Sequence, residues 1–318
     1  MILGLSVFFL TLHFGFDTLN CFLLENKKAD RLNCNMEIFS TIRELETYAR
    51  KVREEGKSIG LVPTMGALHK GHLSLMERAV DANDVVIASI FVNPIQFNNQ
   101  NDLATYPHTE DADCRLLEMA GVKAVFIPSV KEIYPDGNSE GKIYDLGEVA
   151  DVMEGSFRPG HFQGVATIVD RLMRWSSADR AYFGEKDFQQ IAVVRRMART
   201  EGLTTEIIAC PIVREDDGLA LSSRNVRLTS DQRKIAPGIF KALKESVEYS
   251  LSHTPEETIK KVTTEINSQP ECKVEYFSIV DGLTMQPVKR WEDVSGQIQG
   301  CITVYCGEVR LIDNIRYR

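Results

Sequence analysis

The sequence lacks the familiar short signatures for nucleotide and dinucleotide binding. Its 318 residues hold no G-x-x-x-x-G-K-[ST] loop, no G-x-G-x-x-G and no H-E-x-x-H. Any nucleotide chemistry must therefore be assembled from other groups. Positive charge is also in short supply: 37 Lys and Arg stand against 45 Asp and Glu, a formal net charge of −8. Nucleic-acid binders draw much of their affinity from cations on phosphates and carry a basic footprint. Its absence argues against DNA or RNA and leaves room for a small positive cluster around one nucleotide. There is no C-x-x-C pair. The seven cysteines are scattered singly, and Cys301 and Cys306 lack the nearby histidines of a zinc site, so inert free thiols in a reducing compartment are expected. Internal repeats, low-complexity segments and long charged tails are missing too. So is a membrane span: the apolar stretch Ile2–Phe16 falls short of the roughly 20 residues required. No Lys or Arg precedes it and no clear cleavage site follows. Residues 1–35 thus read as an upstream extension from a misplaced start codon, ahead of a normal amphipathic pattern that begins at Met36.

What is present is an ordinary globular composition, 43% hydrophobic and 26% charged, long enough for one large domain or two. From Met36 onward, strand-length apolar runs alternate with helical patterns. Strands are expected at Ser58–Val62, Asp84–Val92, Ala124–Ile127, Ala181–Phe183 and Thr205–Ala209. Helices are expected at Leu73–Val80, Glu110–Ala120, Phe162–Trp175 and Asp187–Thr200. The nearly continuous run DVVIASIFV (Asp84–Val92) is that of a strand buried on both faces. Strands separated by helix-length connections imply parallel crossovers and a doubly wound α/β sheet. After about Pro211 the rhythm changes to helical stretches at Ser230–Ser250 and Pro255–Asn267. Strand-like runs follow at Lys273–Val280, Cys301–Tyr305 and Val309–Ile312, a smaller α+β domain.

Five segments carry chemistry. PTMGALHKGH (Pro63–His72) lies between a buried strand and a helix, where ligands of open α/β sheets bind. His69 and His72 are three apart and share a helical face, and Gly71 between them removes a side chain where phosphate can approach. GEKDFQQ (Gly184–Gln190) also follows a strand and opens a helix, placing Lys186 as a compact positive charge near phosphate. LSSRN (Leu221–Asn225) sets two hydroxyls beside a guanidinium. FVNPIQF (Phe91–Phe97) ends a buried strand with two amides, Asn93 and Gln96, among apolar groups that suit a small polar substrate. RPGHF (Arg158–Phe162) starts a helix, with Arg158 either attracting a carboxylate or facing solvent. Singly, each segment has a bland alternative as a cap, turn or solvated helix start.

Taken together and in this order, PTMGALHKGH, IFVNPIQF, EGSFRPGHFQGV, FGEKDFQQ and DGLALSSRN, with RLIDN (Arg310–Asn314), resemble the pantothenate synthetase (pantoate–β-alanine ligase) family from about Met36 to the end. The resemblance implies a Rossmann-like domain of the H-x-G-H nucleotidyltransferase type over 36–211 and a C-terminal lid domain over 212–318. It implies a cytoplasmic homodimer, with no nucleic-acid or membrane partner. The reaction implied is ATP- and Mg²⁺-dependent: pantoate becomes pantoyl-adenylate with release of pyrophosphate, and β-alanine then displaces AMP. On that resemblance Met65, Gly66, Ala67, Leu68, His69, Lys70, Gly71 and His72 lie along ATP, with His72 as the family's acid. Gly184, Glu185, Lys186, Asp187, Val213, Leu221, Ser222, Ser223 and Arg224 also contact ATP. Gln96 and Gln190 hold pantoate, with Asn93 beside them, and Gln96 helps with β-alanine. His69, His72 and Lys186 are the expected catalytic groups, and no metal ligand is assigned.

Overall fold

The apolar runs assemble into two sheets. The computed structural model describes residues 36–98, 100–135, 137 and 142–318. The expected upstream extension, 1–35, lies outside the described residues.

The first sheet has six parallel strands: β1 (Glu37–Phe39), β2 (Ile59–Thr64), β3 (Val85–Ile90), β4 (Ala124–Phe126), β5 (Arg180–Gly184) and β6 (Glu206–Cys210), in the order β1-β4-β3-β2-β5-β6. Every residue of β3 is buried, because helices cover both faces. Ile59, Leu61, Val85 and Ile87 join one core cluster, while Val62, Val86, Ala88 and Ile90 join another on the opposite face. This alternation follows from the two-residue side-chain period of a strand. Helix α1 (Ile42–Glu54) starts at a Thr41/Glu44 capping box, α2 (Lys70–Ala82) follows β2, and α3 (Glu110–Ala120) ends at Gly121, whose φ of 89° closes the helix. Helix α4 (His161–Ser176) precedes β5, and α5 (Phe188–Thr200) follows it.

The chain continues through α6 (Ser230–Ile235), α7 (Gly238–Tyr249) and α8 (Pro255–Asn267) into an antiparallel sheet of β7 (Cys272–Asp281), β8 (Ile298–Cys306) and β9 (Val309–Arg316). Its core unites Leu243, Val262 and Ile266 of the helices with Ile279, Ile302 and Val304 of the strands. The α/β fold with a smaller α+β part is therefore as the sequence indicates. Two details differ. The stretch read as one helix, Ser230–Ser250, is two, divided at Ala236 and Pro237, since proline has no N–H to continue the ladder. The edge strand β1 was not expected; three residues are too few to show a period, and its partner β4 lies far along the chain. Among the described residues no helix is long and apolar enough to cross a membrane.

Candidate active site

Strands β2, β3 and β4 run outward in one direction, and β5 then pairs with the other side of β2. At such a reversal, the loops leaving the two central strands part and open a crevice at their carboxyl ends. The loops that leave β2 and β5 here are PTMGALHKGH and GEKDFQQ.

His69 is the N-cap of α2. Its Nδ1 accepts the Gly71 N–H at 3.1 Å, and the His72 Nδ1 accepts the His69 N–H at 3.3 Å. The pair thus forms a reciprocal capping box in which imidazoles replace the usual Ser and Glu. With both Nδ1 atoms accepting, the proton of each neutral ring sits on Nε2 and is available for donation. The ring centroids are 4.1 Å apart. Burial, followed by the nearby Lys186 charge, lowers His69 from 6.5 to about 4. Burial, then His69 and Lys186, lowers His72 to about 3. Both rings are neutral donors at pH 7. Gly71 is needed because a Cβ there would lie 2.9 Å from the His69 ring.

The loop ahead of these histidines is strained, with φ of 50° at Ala67. Buried Asp113 of α3 holds it, accepting the Ala67 and Leu68 N–H groups at 2.9 and 2.8 Å. Nothing in the sequence singles out Asp113, since its role depends on a contact 45 residues away.

Two cavities meet at this point. One, of about 170 Å³, is lined by Met65, His69, Gly71, His72, Gly184, Lys186, Asp187, Val213, Leu221, Ser222, Ser223 and Arg224. The other, of about 180 Å³, has apolar walls from Phe91, Val165, Ile168, Val169 and Leu172, with Asn93, Gln96, His161 and Gln190 among them. Met65, His72, Tyr106, Asp187, Gln190 and Arg224 line both. Three distant segments of the sequence therefore converge. Gly66, Ala67, Leu68, Lys70 and Glu185 line neither cavity; Lys70 is exposed, and the Ala67 and Leu68 amides are taken by Asp113. The Asn93 side chain donates to the Gly164 carbonyl and accepts from the Tyr134 hydroxyl, so it shapes the wall with most of its polar capacity already used. Arg158 turns inward, 3.4 Å from Glu154, the His161 Nε2 and the Gln96 carbonyl.

The serine loop sits at the cavity mouth. Ser222 caps its short helix, and Ser223 Oγ is 3.5 Å from the Tyr106 hydroxyl. Arg224 and Arg227 both bind Asp102, at 2.8 and 2.9 Å.

Residues of the C-terminal sheet support the site. Asn314 donates to the carbonyls of Glu185 and Lys186 at 2.8 and 3.0 Å, fixing the turn that carries the lysine. Arg214 pairs in bidentate fashion with buried Asp313 at 2.7 and 2.9 Å. Glu154 accepts from Arg310 at 2.6 and 2.9 Å, Tyr276 at 2.8 Å and Thr303 at 3.1 Å. Burial alone would raise its pKa, but Arg310, Tyr276 and Arg158 outweigh it and hold the carboxyl at about 2. The conspicuous segments EGSFRPGHFQGV and RLIDN contain Glu154, Arg310 and Asn314, yet only the contacts between them reveal this bracing role.

Among the described residues no trio of His, Cys, Asp or Glu gathers as a metal cluster. Gly56–Gly60 spells G-x-S-x-G, but Ser58 lies before β2, away from the crevice, with its hydroxyl on Asp84. It is not the strand-to-helix nucleophile turn that this motif denotes elsewhere.

A family model described as Pantoate-beta-alanine ligase matches residues 37–316. A pantothenate synthetase from Porphyromonas gingivalis is 55% identical over 282 residues, which cover 89% of this chain and 99% of the relative. A crystal structure of the pantothenate synthetase of Thermus thermophilus superposes with a TM-score of 0.82 at 42% identity, covering 89% of this chain and 99% of the other. A pantoate-beta-alanine ligase structure from Francisella tularensis, described as complexed with beta-gamma ATP and beta-alanine, gives 0.74 at 38% identity, covering 89% and 98%.

Proposed function

This chain belongs to the pantoate–β-alanine ligase family and condenses pantoate with β-alanine using ATP, and from that premise we propose which of its residues do so and in what order. ATP lies in the cavity lined by His69, His72, Lys186 and the Leu221–Arg224 loop, and pantoate lies in the adjoining apolar pocket with its hydroxyls on Gln96 and Gln190. One observation carries this reading: two neutral imidazoles, an ammonium and a hydroxyl-bearing loop converge on one cavity that opens into an apolar one. The Francisella complex with beta-gamma ATP and beta-alanine supports it.

A carboxylate resists attack by an amine because it is negatively charged and has no good leaving group. In the first step a pantoate carboxylate oxygen attacks the α-phosphorus of ATP, and the bond to pyrophosphate breaks. Negative charge grows on the phosphoryl oxygens, where the Nε2–H groups of His69 and His72, the Lys186 ammonium and the serine hydroxyls stabilise it without having to reorganise. In the second step the β-alanine nitrogen attacks the acyl carbon, the C–O bond to AMP breaks, and the nitrogen loses a proton. Positioning alone contributes roughly 7–11 kcal/mol in well-oriented cases. The C-terminal part, 212–318, acts as a lid that keeps water from the adenylate.

Mg²⁺ binds mostly through substrate phosphates and water with one or two carboxylates. Asp187 lines the ATP cavity, half exposed, and among the described residues its carboxylate makes only a 3.4 Å contact to Lys186, so it fits as the protein ligand. When bound, the ion supplies further charge neutralisation on the phosphates. The cytoplasm and a homodimer complete the proposal, in keeping with the free thiols of the described cysteines and with the family resemblance.

The decisive test is exchange of labelled pyrophosphate into ATP. Exchange should require pantoate and proceed without β-alanine. Exchange that required β-alanine would exclude the adenylate order.

The histidine environments give a pH expectation for the same half-reaction. Because both folded-state pKa values lie below 6.5, the rings stay neutral donors down to about pH 4–5. The exchange rate should therefore show no inflection attributable to histidine between pH 5.5 and 8. An inflection near 6.5 that disappears in His72→Gln would contradict the assigned protonation. The stability contribution has the same sense: the unfolded chain binds more protons below pH 6.5, so stability is complete above that value and declines as the pH falls toward the folded-state values.

A further inference from the structure

Among the described residues, two neighbouring thiols take no part in the catalytic reading. Cys272 opens β7, Cys306 closes β8, and the two are register partners in the antiparallel ladder. Their Sγ atoms lie 3.4 Å apart. The Gly307 N–H donates to the Glu271 carbonyl, and the Cys272 N–H donates to Gln269 rather than to Cys306. Cys272 and Cys306 thus form a non-hydrogen-bonded pair, the kind whose Cα atoms sit closest, about 4.5 Å apart. A disulfide needs a Cα separation of about 4.4–6.8 Å and an S–S bond of about 2.05 Å, so rotation of the two side chains can close it without moving the strands.

We propose that Cys272 and Cys306 form an oxidant-closed disulfide site, with hydroperoxides as the oxidant class, that staples the C-terminal sheet. Cys272 is 9% exposed and Cys306 only 1%, which sets the order of events. The Cys272 thiolate attacks a peroxide oxygen and the O–O bond breaks, giving a sulfenic acid and hydroxide. Cys306 then attacks the Cys272 sulfur, the S–O bond breaks and water leaves. In sum, two thiols and one hydrogen peroxide give one disulfide and two waters. Burial raises both thiols above their ordinary range, Cys306 to about 12. The reaction is therefore slow at neutral pH and accelerates as the pH rises. The staple would hold β8 to β7 next to the Gly307 turn that leads into β9, the strand that bears Arg310, Asp313 and Asn314.

The test is to treat the full chain with hydrogen peroxide, block the remaining thiols and map the peptides. Mapping separates this pair from the five other cysteines, and fragment ions distinguish Cys306 from Cys301. The expected product joins the Cys272 and Cys306 peptides with a loss of two hydrogens, and dithiothreitol reverses it. Its midpoint of thermal unfolding should rise by about 5 °C, and Cys306→Ser should abolish both changes. Sulfinic acid at Cys272 with no cross-link would overturn the proposal. So would an unmodified pair after Cys114 is fully oxidised, or a cross-link that lowers the unfolding midpoint.

Discussion

Replacing Lys186 with alanine is expected to lower pantoate-dependent pyrophosphate exchange about 10²–10³-fold, the loss typical when one donor to a developing oxyanion is removed. The Lys186 side chain is 18% exposed, and among the described residues its ammonium makes a single long contact, 3.4 Å to Asp187. Its charge is thus left largely for a ligand. The turn beneath it is held by main-chain carbonyls on Asn314, which an alanine leaves in place. Folding should be unaffected, with an unchanged urea midpoint, so a lost rate reports chemistry rather than collapse. Arginine should rescue poorly, because its longer planar fork places charge differently from a compact ammonium. Normal turnover by purified Lys186→Ala would refute the role given to this residue.

The second large effect concerns stability. Glu154→Gln is expected to destabilise the fold by about 3 kcal/mol at pH 7. Arg310, Tyr276, Thr303 and Arg158 all converge on this carboxylate, and removing one charge of a buried pair leaves its partner uncompensated. Glu275 still contacts Arg310 at 2.5 Å, which puts the cost at the low end of the usual range. Against burial, the Arg310 guanidinium and the Tyr276 hydroxyl hold the carboxyl well below its ordinary range, at about 2, which has the same sense. The sign follows from linkage: the carboxylate contributes fully above about pH 4.5, and its contribution disappears as the pH falls toward 2. Urea midpoints of the parent and Glu154→Gln should therefore differ clearly at pH 7 and converge in acid. Coincident midpoints at pH 7 would show that the network adds nothing to stability.

Glu154 also illustrates how unevenly the molecule can be read from its residues. Local patterns were transparent. VVIASI announces a strand buried on both faces, and Glu110–Ala120 and Pro255–Asn267 are helices with the bounds expected. The break at Pro237 had a visible cause but was masked by apolar spacing that runs on either side of it. The three-residue β1 had no local signal, since a parallel edge strand is defined by its partner. At the site, His69, His72, Lys186, Ser222, Ser223 and Arg224 were visible as chemistry-bearing residues at loop and helix starts. Asp113, Asp102, Glu154, Asn314 and Arg310 were not, because each acts on a residue at least 45 positions away. A polar residue braced at long range looks in sequence like any other polar residue.

By itself the sequence determined the two-part α/β architecture and the family, because strand and helix periods and five segments in order are properties of neighbours along the chain. Only the tertiary structure decided that the loops after β2 and β5 share one crevice, and that both imidazoles keep their protons on Nε2. It alone decided that Ala67 and Leu68 give their amides to Asp113. These outcomes depend on strand order, burial and contacts between distant segments, which come into being when the chain closes on itself and excludes water.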